Sequence, residues 1–417
     1  MGRKVRQAKN EEILLDKNEN KYGPSGKCMK VLRSLPKRCL CDYARDDNRS
    51  LRQLLAERFG VDADQVLLGY GAEDLLKQVF EVALKPGQPV LLPSHGWYYY
   101  DTLSQARQLE RHTYMMYRKG RQFVYDYQSL LRQFATLRPR LTVVCSPNNP
   151  TGSTFDPDHF EALLMSARAD QILLFDQAYA GFASGGQPPI GRWLHSYSNL
   201  MVLGTFSKYY ALAGARIGFA LVGKGLPEKL GLSERLLGFS QVLEQLGIAA
   251  LQSEKYYSSV ANKTRRDRER LIEKINSLPG FVAFESEANF FLAQYPPDAR
   301  QLLAEELAKR RLKIKFITDE PAFANMVRIS IGKQEHTALL LAALNAVGKR
   351  LAFQREMARS LEAMMLHRAV FYIRRAPAVP LSLFNRYMVH GLPAALVTSA
   401  VRKVLGRPVN QPGADAS

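Results

Sequence analysis

Three kinds of polar residue stand just past apolar runs, the places where an open α/β sheet binds its ligands. Asp176 closes QILLFDQAY, Asn148 and Asn149 lie between prolines in LTVVCSPNNPTG, and Lys208 follows NLMVLGTFS. Each has an ordinary structural use. Asparagine beside proline builds turns, aspartate after a strand caps the next helix, and lysine snorkels to the surface. Taken together, in this order, they suit one chemistry. Lys208 is the one lysine of TFSKYYALAGARIGF, residues 205–219. A desolvated lysine near other cations loses proton affinity and becomes a neutral nucleophile. Pyridoxal phosphate needs such an amine for a Schiff base, and an acid opposite its ring nitrogen. Its dianionic phosphate needs hydroxyls, an arginine and a helix N-terminus. Thr205, Ser207, Arg216 and the Gly71-Ala72-Glu73 turn offer them.

The elements that must position these residues follow from the hydrophobic pattern. LRQLLAERFG reads as an amphipathic helix closed by Gly60, and QVLLGYGAEDLLKQVFEVAL as strand, glycine turn and helix. QPVLLPS, LTVVC, QILLFD and NLMVLGT read as short buried strands. The alternation predicts an α/β fold with its site at the carboxyl edge of the sheet. After about residue 250, the charged helix SVANKTRRDRERLIEKIN precedes the strand-like FVAFESEANFFLAQ and MVRISIG, which flank ARQLLAEELAKRR. This part reads as a smaller α+β domain.

The motifs LDKNENKYGPS (15–25), SPNNPTG, TFSK with LAGARIGF, and VRISIG (327–332) span most of the chain. With them the sequence resembles the fold-type I pyridoxal-phosphate aminotransferases, and among these the histidinol-phosphate aminotransferase-like subgroup. The resemblance implies a large mixed-sheet α/β domain that binds the cofactor, at 45–249, and a small domain at 250–350. An N-terminal arm, 1–44, would join the small domain, whereas 351–417, a basic amphipathic extension by composition, runs past the family's normal end. It also implies roles. Lys208 would form the Schiff base and shuttle a proton, and Asp176 would pair with the protonated ring nitrogen. Asn149 and Tyr179 would bond the cofactor's phenolic oxygen. Thr205, Ser207, Arg216 and the Ala72 and Glu73 amides would hold the phosphate. Trp97 of GWYYY, or an aromatic a residue or so away, would stack on the ring, core packing being the alternative use of Tyr98 to Tyr100. Tyr43 would reach the phosphate of a partner subunit in a homodimer. Arg328, with Asn149, would bind the substrate's anionic group, and Tyr22 would line the pocket entrance. Two departures stand out: Gln177 replaces the usual acid after the cofactor aspartate, and CLCDYARDD surrounds Tyr43.

The implied reaction moves an amino group between an anionic amino acid or amino phosphate and a 2-oxo acid. Decarboxylation of the threonine-phosphate type is the alternative on the same scaffold. A non-catalytic sensor would carry a DNA-binding domain ahead of the first motif, where roughly 15 residues leave no room for one.

Composition bounds the rest. The chain has 417 residues and a formal net charge of +19. That charge favours anions, but no nucleic-acid-binding motif accompanies it, so no nucleic acid is expected. Four cysteines make no disulfide framework, and Cys39 and Cys41 lie too close for a zinc site, so no metal is expected. A reducing cytoplasm fits. No apolar run reaches the ~20 residues of a membrane span. From Lys349 onward, eleven Lys and Arg face three acids, an excess of +8. Within FQREMARSLEAMMLHRAVFYIRRA (353–376), Phe353, Met357, Leu361, Met364 and Met365 recur near helical spacing. This stripe either packs on the small domain or a dimer partner, or docks on an acidic partner or an anionic membrane face. Pro377, Pro380 and Pro393 break the chain beyond it, and LPAALVTSAVRKVL (392–405) reads as a second amphipathic piece.

Overall fold

The computed structural model describes residues 11–44, 49–227, 238–318 and 320–375. The chain divides into two compact units, Met1–Leu344 and Asn345–Ser417. The described strands in chain order are β1 (Ile13–Leu15), β2 (Val66–Gly69), β3 (Pro89–Pro93), β4 (Glu110–Tyr114), β5 (Met116–Lys119), β6 (Gln122–Tyr125) and β7 (Leu141–Cys145). They continue with β8 (Ile172–Asp176), β9 (Leu200–Thr205), β10 (Gly218–Val222), β11 (Val282–Ala283), β12 (Phe290–Gln294), β13 (Leu312–Ile317) and β14 (Met326–Ser330).

Seven of them form one mixed sheet in the order β2-β10-β9-β8-β7-β3-β4. Strand β10 runs antiparallel to both neighbours, whereas the pairs from β9 to β4 are parallel. Every residue of β7, β8 and β10 is buried, as expected of strands covered on both faces. The sequence marks this with unbroken apolar runs rather than alternation. On one face Phe175 of β8 stacks on Phe160 at 4.3 Å, with Trp193 5.2 Å from Phe160. Burying each such side chain stabilises the fold by about 2 kcal/mol. Asp176, the next residue, points to the opposite face.

The register lines up the strand ends. Cys145 pairs with Asp176, Asp176 with Leu203, and Thr205 with Gly218. The loops that follow β7, β8 and β9 therefore leave from one edge, and they contain Asn149, Tyr179 and Lys208. The glycine turn before helix Ala72–Val82 is brought to the same edge by β10. A Cβ on Gly218 would lie 2.2 Å from the Gly71 carbonyl carbon and 2.3 Å from the Ala72 nitrogen. Only glycine allows that approach, and Gly71 itself turns at φ +86°.

A second sheet has the order β1-β13-β14-β12-β11. Its first strand lies far from the others in sequence and pairs in parallel with β13. Arg328 sits in the middle of β14, paired with Leu292 and Lys315.

The described part of the second unit belongs to the long helix Gln334–Arg375. Phe353, Met357, Leu361 and Met364 are exposed there, in line along the helix, and border a shallow groove of about 450 Å³ together with Glu356 and Ser360. The expected helical stripe is present at these four residues. The Met365 side chain, the prolines at 377, 380 and 393, and segment 392–405 lie outside the described residues. Among the described residues no helix is long and apolar enough to cross a membrane.

Candidate active site

Lys208 follows the end of β9, and its Nζ donates a 2.9 Å hydrogen bond to the Lys17 carbonyl. The ammonium lies 5.7 Å from the centre of the Tyr179 ring. Burial first, then the positive charge of Arg328, pull the Lys208 pKa down to about 8. Asp176 ends β8 and is buried. Its Oδ1 accepts from the Ala178 amide at 2.9 Å and its Oδ2 from the Tyr100 hydroxyl at 2.6 Å. Burial pushes this carboxyl up, while the two hydrogen bonds and Lys208 oppose the rise.

Tyr179 is held by Asn18, whose Nδ2 donates to the phenol oxygen at 3.1 Å. Burial pushes the phenol up to about 12, so it stays a donor at neutral pH. Asn18 is fully buried with φ +56°; its amide donates to Ser330 Oγ at 2.9 Å and its carbonyl accepts from Asn289 at 3.0 Å. Arg328 reaches across from the second sheet. One Nη donates to Asn149 Oδ1 at 2.5 Å and the other to the Asp16 carbonyl at 2.6 Å. Its Nε is buried without a partner.

At the glycine turn, Arg216 adopts a left-handed φ of +56° and lays its guanidinium over Gly71. Such a conformation in a non-glycine residue costs of order 1 kcal/mol and is typical of ligand clamps. The Glu73 carboxylate meets Arg216 at 3.2 Å, which shows an oxyanion accommodated opposite this guanidinium. Thr205 Oγ1 donates to the Ile217 carbonyl at 3.3 Å and accepts from the Ser207 amide at 3.1 Å.

Residues 10–344 match the family described as aminotransferase class I and II. The chain belongs to this family. It is 30% identical to histidinol-phosphate aminotransferase of Microcystis aeruginosa over 336 residues, covering 80% of this chain and 91% of that one. The fold matches that of histidinol-phosphate aminotransferase from Sinorhizobium meliloti, solved in complex with pyridoxal-5'-phosphate. There the TM-score is 0.74 at 24% identity, over 82% of this chain and 92% of that one. It also matches L-threonine-O-3-phosphate decarboxylase from Porphyromonas gingivalis, with TM-score 0.67 and 21% identity over 80% and 98% of the two chains. The fold is thus the mixed α/β architecture of fold-type I, and pyridoxal phosphate is the cofactor of this aminotransferase.

The residues present fit that cofactor. A depressed lysine, a buried carboxylate and a phenol that stays protonated surround the strand ends, and the cradle under Arg216 closes if Gly71 gains a Cβ, which would sit 2.7 Å from an Nη.

Of the other expected residues, Trp97 meets this group through Tyr100, whereas Tyr22 and Tyr43 bond to residues outside it. Trp97 precedes helix Tyr98–Ala106, 5.0 Å from the Tyr99 ring and 5.8 Å from Tyr100. Tyr22 donates to Asp267 at 3.3 Å and lies under Lys263; burial and Asp267 push its pKa up to about 12. Tyr43 stands 69% exposed, its carbonyl held by Gln241 at 3.0 Å. Gln177, the departure after Asp176, donates to the Ser146 carbonyl at 3.4 Å. Two residues escaped the sequence reading. Asn18 was visible within a motif but carried no role, and Tyr100 was read as core.

Proposed function

We propose that this aminotransferase takes its nitrogen from an anionic amine of the histidinol-phosphate kind and passes it to a 2-oxo acid. The observation that carries the reading is Arg328. Its guanidinium is fixed beside Asn149, its Nε has no partner, and it is near enough to Lys208 to lower that amine's pKa. A half-buried guanidinium with a donor to spare suits a substrate carboxylate or phosphate. The similarity to a named histidinol-phosphate aminotransferase supports the same substrate class.

Pyridoxal phosphate, when bound, supplies an aldehyde for amine condensation and an electron-withdrawing ring. The protein residues then divide the work. Lys208 would present a neutral amine, and its Nζ would hold and move the proton of the substrate's α-carbon. Asp176 would pair with the protonated ring nitrogen. Asn149 and Tyr179 would hydrogen-bond the phenolic oxygen. Thr205, Ser207, Arg216 and the Ala72 and Glu73 amides would grip the phosphate, and Trp97 would cover the ring. Tyr22 lines the entrance. Tyr43 serves the phosphate of a second copy in a homodimer, in keeping with its exposure here. The free thiols Cys28, Cys39, Cys41 and Cys145 fit a reducing cytoplasm.

The test is a panel of amino donors mixed with holoenzyme without acceptor and read by the change in cofactor absorbance. Phosphorylated and dicarboxylic donors should convert the cofactor, and uncharged amines should not. Conversion by uncharged amines alone would refute the anionic class, and release of carbon dioxide would place the reaction with the decarboxylases.

The exposed stripe Phe353, Met357, Leu361 and Met364 supports a second, separate reading. We infer that this helix rests on an anionic membrane face, because the excess of +8 from Lys349 onward complements such a surface and opposes a like-charged copy. Full-length protein should then sediment with anionic vesicles at low salt and be released at high salt. No sedimentation at low salt would dismiss it.

A further inference from the structure

Asp176 has a side-chain partner that nothing in its own segment supplies. Tyr100 is 1% exposed and Asp176 is 5% exposed. The Tyr100 hydroxyl donates to Asp176 Oδ2 at 2.6 Å, the length of a charge-assisted bond, and the Ala178 amide takes Oδ1 at 2.9 Å. With each oxygen tied to a different donor, the carboxylate cannot rotate. Burial holds the Tyr100 phenol well above its ordinary pKa, so it remains a donor across the working range.

Tyr100 is itself fixed. It lies in the first turn of helix Tyr98–Ala106, and Trp97 meets its ring edge-on at 5.8 Å. Ser104 Oγ donates to its carbonyl at 2.8 Å. On the loop side, a Cβ at Gly96 would fall 2.6 Å from Pro93 Cγ and 3.4 Å from Tyr100 Cδ2, so the bend packs tightly against the ring. One short segment therefore carries both the ring-covering Trp97 and the donor to the acid.

We propose that Tyr100 is the positioning residue of Asp176, keeping its carboxylate charged and aimed at the cofactor's ring nitrogen. This rests on the reading that Asp176 faces that nitrogen. Tyr100 acts through Asp176 and need not touch the substrate.

The experiment is a double-mutant cycle on holoenzyme with Tyr100→Phe, Asp176→Asn and the pair, each followed by kinetics and by a pH titration of the cofactor's visible absorbance. Removing a hydrogen bond to a buried charge should lower kcat ~10–100-fold. The donor KM should stay within about threefold, since ground-state binding is untouched. The absorbance midpoint should move to higher pH, because a ring nitrogen less firmly protonated withdraws less charge. In the Asp176→Asn background the further loss should be under about twofold. Tyr100→His, which keeps a donor, should recover most of the rate. Where Tyr100→Phe does not fold, Tyr100→Met, which also lacks the donor, gives the same comparison in the two backgrounds: its cost should appear only when Asp176 is present. An equal penalty in both backgrounds with an unmoved midpoint overturns the positioning role. An Asp176→Asn enzyme that loses less than about tenfold overturns the placement of Asp176, and this proposal with it.

Discussion

Lys208 lies in a field set by two arginines and two acids. Arg328 and Arg216 lower its proton affinity, Glu19 and Asp176 raise it, and burial outweighs each of them. With a pKa of about 8, a sizeable fraction of the amine is neutral in mildly alkaline solution. The same shift makes a prediction about stability. The folded apoenzyme binds its Lys208 proton more weakly than the unfolded chain, whose lysine titrates near 10.5. Burying the ammonium therefore costs stability below about pH 8, and stability is recovered as pH rises from there toward 10.5. Lys208→Met should stabilise the apoenzyme by about 2 kcal/mol at pH 7, after a discount for partial exposure, and by much less at pH 10. Paired thermal melts at the two pH values measure this. An advantage that does not shrink at high pH would mean that the amine is not desolvated as described.

At the scale of elements, the site depends on how closely β10 lets the glycine turn approach. A methyl group on Gly218 would collide with backbone atoms of Gly71 and Ala72, which cannot swing aside like a side chain. Gly218→Ala should cost about 1–3 kcal/mol and weaken retention of the cofactor phosphate. Gly214→Ala, with nothing within 4 Å of its Cβ position, is the control. Denaturant melts and a cofactor titration of both variants decide it; equal behaviour would contradict the close approach. The central strands were legible in the sequence because each is a short run buried on both faces and followed by a polar residue with chemistry to do. The partners of those residues were not. Tyr100 reaches Asp176 only because β3 and β8 both pair with β7, and nothing within GWYYY tells which tyrosine turns toward the acid. Asn18 reaches Tyr179 because β1, only three residues long, pairs with β13. Such pairings over long sequence separation leave no local pattern.

At the scale of the whole molecule, the role proposed for Tyr43 requires a second copy, and that requirement can be tested. Mixing Lys208→Ala protein with Tyr43→Phe protein should give hybrids with one intact site and more activity than either parent. A mixture no more active than its parents would refute shared sites. The central claim, that the half-buried lysine after β9 carries the cofactor, has a more direct test. Holoenzyme is reduced with borohydride, digested, and its peptides are weighed. The account predicts a pyridoxyl adduct on Lys208 and its loss in Lys208→Ala protein. An adduct on another lysine, or none in a protein that still turns over, would contradict it.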